Sequence, residues 1–148
     1  MRISAKGRYA MAAVISMAQQ YNTGENITVI SISEKLGISK IYLEQVFALL
    51  KKAEIVSSEK GAQGGYQLTR SPAKITALDV LEAVETSLFE QVQETVLEKA
   101  PDIDEAMRLS VFEQLDNNIR QILSSITIED LVKEAEKHKS NNVIMYYI

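Results

Sequence analysis

The chain has no cysteine in its 148 residues. That excludes disulfides, thiol nucleophiles and thiolate-ligated zinc or iron–sulfur centres, and it makes the cytosol the expected compartment. Histidine occurs once, at His138. No nucleophile–base pair and no metal-ligand cluster can be assembled from the sequence pattern, so an enzyme is not expected. No apolar run reaches the roughly 18 residues a membrane span needs. Arg2, Lys6 and Arg8 do precede the apolar stretch "AMAAVISMA", as in a secretion signal. That stretch is short for the role and no clean cleavage site follows, so it reads as a helix of the mature protein. Glycine is scarce, yet three of the six glycines fall within residues 61–65. Such a cluster needs a reason, because glycine is the residue that costs most to order.

What is present suffices for a packed core. Apolar residues make up 46% and charged residues 24%, which argues against global disorder and for one domain, or a small domain with an extension. The net charge of −4 hides a division. Residues 1–70 carry nine Lys/Arg against five Asp/Glu, and residues 71–148 carry seven against fifteen. A basic front and an acidic back suggest that only the front meets a polyanion.

Tyr9, Ala13, Val14, Met17, Ala18 and Tyr21 share one helical stripe, which predicts a first helix from about Lys6 to Tyr21. Gly24 punctuates the segment that follows. Thr28 then caps a short helix through Lys35 with Ile32 and Leu36 inward, Gly37 suits the position after it, and Ser39 caps the next. That helix, from about Lys40 to Ala53, buries Leu43, Val46, Phe47 and Leu50, spaced i, i+3, i+4 and i+7. Its opposite face carries Lys40, Ile41, Glu44, Gln45, Ala48, Lys51 and Lys52. Two short helices joined by a glycine turn read as helix-turn-helix or as an ordinary antiparallel pair, and the helices alone do not decide.

The glycine cluster decides. "IVSSE" (55–59) and "YQLTR" (66–70) are strand-like runs on either side of it. Three helices followed by strand, glycine-rich loop and strand make a winged helix, with Gly61, Gly64 and Gly65 in the wing. A phosphate-binding loop would have to run into a helix N-terminus, and here the glycines run into a strand.

Beyond Pro72, Thr76 caps a further helix, with Asp79 at the capping-box position. Residues 87–101 read as a weak helix or a loop. From about Asp102 to Ser124, Ile103, Met107, Val111, Leu115, Ile119 and Leu123 recur every four residues, thickened by Phe112 and Ile122. A helix of that length is roughly 30 Å, longer than a wing-sized domain needs for its own core, so it reads as a dimer element or as a helix folded back on its own domain. Thr127 with Asp130 predicts a second cap and a short last helix, and the tail "NNVIMYYI" reads as a strand, a docking segment or a frayed end.

"RISAKGRYA", "GISKIYLEQVFALLKKAEIV", "KGAQGGYQL", "KITALDVLEAVE" and "SSITIEDLV" resemble, in this order, segments of the Rrf-two-type family of bacterial transcription regulators, the IscR-, NsrR- and CymR-like proteins. The resemblance covers most of the chain. It implies a mainly α fold with a small β-hairpin, a winged helix-turn-helix domain plus a long dimerisation helix. Residues 1–86 would form the DNA-binding domain. Residues 87–148 would form a dimerisation and effector region with its long helix at about 102–124. Met107, Val111, Phe112, Leu115, Ile119 and Ile122 are the expected dimer interface.

Tyr42-Leu43-Glu44-Gln45 matches the family's recognition-helix motif, which turns Glu44 and Gln45 toward bases and Leu43 inward. The chemistry agrees: glutamate accepts from the cytosine amino group, glutamine bridges adenine's donor and acceptor, and Ile41 suits a thymine methyl. A surface ion pair of Glu44 with Lys40 or Lys51 is the competing reading. Ser39, Lys40 and Tyr42 join the expected DNA-facing set, as do Gly61 and Gly64 in the wing. Lys60 matches the basic wing-tip position, where a cation can enter a narrow minor groove. Arg2, Lys6, Arg8, Lys51 and Lys52 are candidate phosphate clamps.

Many relatives hold an iron–sulfur cluster through three cysteines between the post-wing helix and the long helix. The stretch at roughly 87–106 has none here, so no cofactor and no metal are expected. The reading is a homodimeric regulator, a repressor by expectation, on an inverted repeat in double-stranded DNA. A regulatory protein or a small-molecule effector is a candidate signal, and a winged-helix protein-interaction module that has lost DNA binding is the alternative.

Overall fold

The computed structural model describes residues 3–59, 64–90 and 95–146, the side chains of 142–146 excepted. Helix α1 (Ala5–Gln19) opens the chain. Ser4 caps it, its hydroxyl accepting from the Gly7 amide at 3.1 Å. Ala10, Ala13, Val14 and Met17 are the buried stripe. The helix stops short of Tyr21, which sits in a 3-10 turn, Tyr21–Thr23, and is exposed.

Helix α2 (Val29–Leu36) begins at Thr28, whose hydroxyl accepts from the Ser31 amide at 3.1 Å. Gly37 closes it at φ +67, a left-handed conformation that only glycine adopts without strain. Ser39 caps helix α3 (Lys40–Lys52) by accepting from the Tyr42 amide at 3.3 Å. The whole predicted stripe of α3, Leu43, Val46, Phe47 and Leu50, is fully buried. Each such side chain contributes roughly 1.5–3 kcal/mol by leaving water, which fixes the rotation of α3 about its axis.

Strands β1 (Val56–Ser58) and β2 (Tyr66–Leu68) pair antiparallel, Val56 opposite Leu68 and Ser58 opposite Tyr66. A third segment joins them. Ile27 and Tyr66 exchange both backbone hydrogen bonds, at 3.0 and 2.8 Å. Gly65 makes this approach possible, since a Cβ there would stand 3.1 Å from the Ile27 carbonyl oxygen. This wing glycine therefore serves the protein's own sheet. The Tyr66 ring packs on Phe47 with centroids 4.7 Å apart, which ties the hairpin to α3.

Helix α4 (Ala77–Val84) starts at the predicted capping box, Asp79 amide to Thr76 hydroxyl at 3.1 Å and Thr76 amide to Asp79 carboxylate at 2.9 Å. It lies against α1 and α3. The segment at 87–101 contains a short helix, α5 (Thr95–Lys99). The long helix is built of α6 (Pro101–Met107), a π-helical turn (Arg108–Phe112) and α7 (Glu113–Ser124). The wide turn answers the sequence pattern. An apolar repeat of four drifts by about 40° per step around an α-helix, and one wide turn takes back part of that drift.

Two expectations for the C-terminus are corrected. The last helix is not short: α8 (Ile128–Tyr146) has 19 residues, and the tail as far as Tyr146 is its continuation, not a strand. Its apolar stripe, in which Ile128, Leu131 and Val132 pack on the core, ends after two turns at half-buried Ala135, and residues 136–142 are polar, so the stripe does not mark its full length. Exposed contacts one turn apart add a little along the rest, Lys133 with Glu129 at 3.9 Å and His138 with Glu134 at 3.3 Å. Helix α8 lies along α1, and Ile128 is fully buried in the core with the front-half residues.

Candidate nucleic-acid interface

Because its apolar stripe is inserted in the core, α3 has no freedom to choose which face it shows. The outer face presents Lys40, Ile41, Glu44, Gln45, Ala48, Lys51 and Lys52, all exposed. Ile41 is 71% exposed, far more than an isoleucine gains by being there in water. Lys40 and Glu44 form an i,i+4 pair at 3.8 Å with both side chains about half exposed. A pair this open and this long is worth little, so Glu44 can leave it for a base edge.

The cations bracket that face. Tyr9 of α1 meets Tyr42 of α3 edge-on, ring centroids 5.2 Å apart. The contact sets the first turn of α1, with half-buried Lys6 and exposed Arg8, beside the first turn of α3. Tyr42 itself is half-buried in this pair, and Ser39 is engaged as the cap. At the other end Lys51 and Lys52 stand exposed next to the hairpin. A shallow hollow lined by Lys51, Glu54, Ser57, Ser58, Thr69 and Arg70 separates them from β2. Arg70 is internally engaged, donating to the Lys74 carbonyl at 2.8 Å and to Asp79 at 3.2 Å. Gly64 is half-buried at the start of the second strand. Arg2, Lys60 and Gly61 lie outside the described residues.

The long helix is different in kind. Among the expected interface residues, Val111, Phe112, Leu115 and Ile122 are each about half exposed, and Ile103 and Leu109 join them on the surface. Met107 and Ile119 are half-buried within the single chain. Nothing in the spacing pointed to Arg120. Its guanidinium donates to Glu82 of α4 at 2.7 Å and lies 3.7 Å from the centroid of the Phe89 ring. Partners this far apart in sequence leave no periodic signal. The same is true of Glu85, which accepts from both the amide and the hydroxyl of Ser4 at the start of α1.

The sequence profile of the Rrf2 family, described as iron-dependent transcriptional regulators, matches residues 3–134. The chain belongs to the Rrf2 family. IscR of Xenorhabdus nematophila is 36% identical over 136 residues, 92% of this chain and 82% of that protein. A helix-turn-helix transcriptional regulator of Azotobacter vinelandii is 44% identical over 88 residues, 60% of this chain and 53% of that protein. Among solved structures, IscR of T. potens superposes with a TM-score of 0.72 at 36% identity, covering 93% of this chain and 90% of that one. CymR, the global cysteine regulator of B. subtilis, superposes with a TM-score of 0.70 at 31% identity, over 90% of this chain and 98% of that one. The winged-helix reading of the fold stands, and these relatives are regulators of transcription, not enzymes.

The family description names iron. This Rrf2 chain supplies no thiolate anywhere in its length. Its one histidine stands exposed on α8 beside Glu134. Among the described residues no three His, Asp or Glu side chains gather to hold a metal ion. The donor set does not fit an iron–sulfur cluster. No helix among the described residues is long and apolar enough to cross a membrane.

Proposed function

We propose that the chain acts as a homodimer on an inverted-repeat operator, where it represses transcription without an iron–sulfur cluster. The observation that carries this reading is the face of α3: Ile41, Glu44 and Gln45 exposed above a fully buried stripe, with cations at both ends of the helix. In the major groove the cations hold phosphates and set the register, while Glu44 and Gln45 reach base edges and Ile41 meets a thymine methyl. An acid at the centre of a DNA-facing helix repels the backbone and is tolerable only where it accepts a hydrogen bond from a base. Lys60, which the family resemblance assigns to the wing, would enter the adjacent minor groove.

The exposed apolar side chains of the long helix supply the second half of the reading. A second copy covers them, and two-fold symmetry then presents two equal recognition helices to two half-sites about one helical turn, or a multiple of it, apart. A dimer seated on a promoter occludes it, which is the simplest route to repression. The work is done where bacterial DNA lies, in the cytoplasm.

Selection from a randomised duplex pool at moderate salt tests the proposal. Enrichment of an inverted repeat supports it. Retention without enrichment reduces it to electrostatic binding, and no retention even at low salt favours a protein-interaction module instead.

A further inference from the structure

If two half-sites are read by one dimer, something must fix the angle between the long helix and the winged domain. We infer that Arg120 is the positioning residue that sets this angle and thereby the half-site spacing the protein accepts; the inference rests on the dimeric DNA-binding reading above.

The long helix is attached to the winged domain at its C-terminal end. The Ala77 amide donates to the Ile126 carbonyl and the Ile128 amide to the Ile75 carbonyl, both at 2.8 Å. This backbone bridge pins residues 126–128 at the start of α4. One attachment point leaves a helix free to swing. Packing of α7 along α4 restrains it, and Arg120 adds the directed second contact, its guanidinium bonding Glu82 near the end of α4 and lying over the Phe89 ring beyond it. Ala77 beside Ile126 and Glu82 beside Arg120 make α4 and α7 antiparallel, and the two attachments stand about 8 Å apart along each helix. Two separated points define a line.

The remainder of the long helix, Pro101 to Arg120, is a lever of roughly 30 Å. A swing of about 10° about the pin moves its far end by about 5 Å, more than the roughly 3.4 Å rise of one base pair. The exposed apolar residues Val111, Phe112 and Leu115 ride on this lever. A change of angle therefore moves the partner's recognition helix relative to its half-site. Arginine suits the task because its flat, charged group makes a directed hydrogen bond and an aromatic stack at once, which lysine cannot do.

The test uses the full chain and has two readouts. The absence of cysteine makes Glu34→Cys with Ala106→Cys a clean spin-label pair, measured at dilution with unlabelled chain. The distance distribution within one chain should be narrow, and broader or shifted when Arg120→Ala is added. Without labels, affinity is measured for the inverted repeat enriched by the wild type, with its central spacer lengthened or shortened by one or two base pairs. Arg120→Ala should flatten the preference among spacers by about tenfold while sedimentation still shows a dimer. Arg120→Lys, which keeps the charge and loses the stack, should fall between. An unchanged distance distribution overturns the inference, as does a changed distribution with an unchanged spacer preference. Should the wild type enrich no inverted repeat, the DNA reading fails, and the distance readout still decides whether Arg120 holds the angle.

Discussion

Helix α3 and the long helix α6–α7 both show an outer face to solvent, and the two faces are opposites. The first is polar and cationic above a stripe buried to the last side chain. The second carries Ile103, Leu109, Val111, Phe112, Leu115 and Ile122 on its surface, and α7 buries no residue fully in the single chain. A face of cations with one acid, one amide and one exposed isoleucine suits a charged, patterned partner. A face of exposed apolar side chains suits an apolar one, and a second copy of the same face is the partner always present. The proposed function divides labour accordingly: α3 would decide which sequence, and the long helix how many copies and in what symmetry.

The largest effect should come from breaking the apolar face. Phe112→Asp with Leu115→Asp should give a folded monomer by sedimentation and circular dichroism, because both positions are about half exposed. Operator affinity should fall on the order of 100-fold or more, since the two half-sites are then bound as independent events. A dimer that survives these charges removes the long helix from the account.

On the other face, Gln45→Ala should weaken the cognate duplex by roughly 10- to 100-fold, about 1–3 kcal/mol, and leave a scrambled duplex nearly unchanged. Equal losses on both would contradict base reading. Lys51→Ala should act the other way round, with a few-fold loss on every sequence and a salt slope smaller by about one. Fluorescence anisotropy across a salt series separates the two.

The smallest effect concerns the junction between the regions. Thr127 and Asp130 form the reciprocal cap of α8: the Thr127 hydroxyl accepts from the Asp130 amide, and the Asp130 carboxylate accepts from the Thr127 amide. That backbone bond first, then the neighbouring Thr127 side chain, hold the Asp130 carboxyl below its ordinary value, against slight desolvation and with help from Lys133. The fold therefore favours the carboxylate. The cap stabilises fully above the usual carboxylate range and is lost as pH falls through the lowered value. Asp130→Asn should lower the melting temperature slightly at neutral pH, and the gap to wild type should close in acid.

Much of this was legible in the sequence because it is local. Caps at Thr28, Ser39, Thr76 and Thr127 announce themselves within three residues, and the α3 stripe within eight. What was illegible is what spans the chain. The Thr76–Thr127 bridge, the Ile27–Tyr66 bridge behind Gly65 and the Arg120 contact with Glu82 join segments with no shared pattern. The length of α8 was illegible for another reason, since its apolar stripe ends at Ala135 and the polar residues 136–142 carry no periodic signal. Of the candidate interface, the face of α3 followed from its buried side alone. The half-burial of Tyr42 and Ile119 did not, because each depends on which distant helix the fold brings alongside.

The most direct test repeats the duplex selection with Gln45→Ala. The enriched repeat should keep its two-fold symmetry and its spacing, which the proposal gives to the long helix, and lose preference at one base position in each half-site. An unchanged set of enriched sequences, or a loss of symmetry together with sequence, would contradict the division of labour between the two faces.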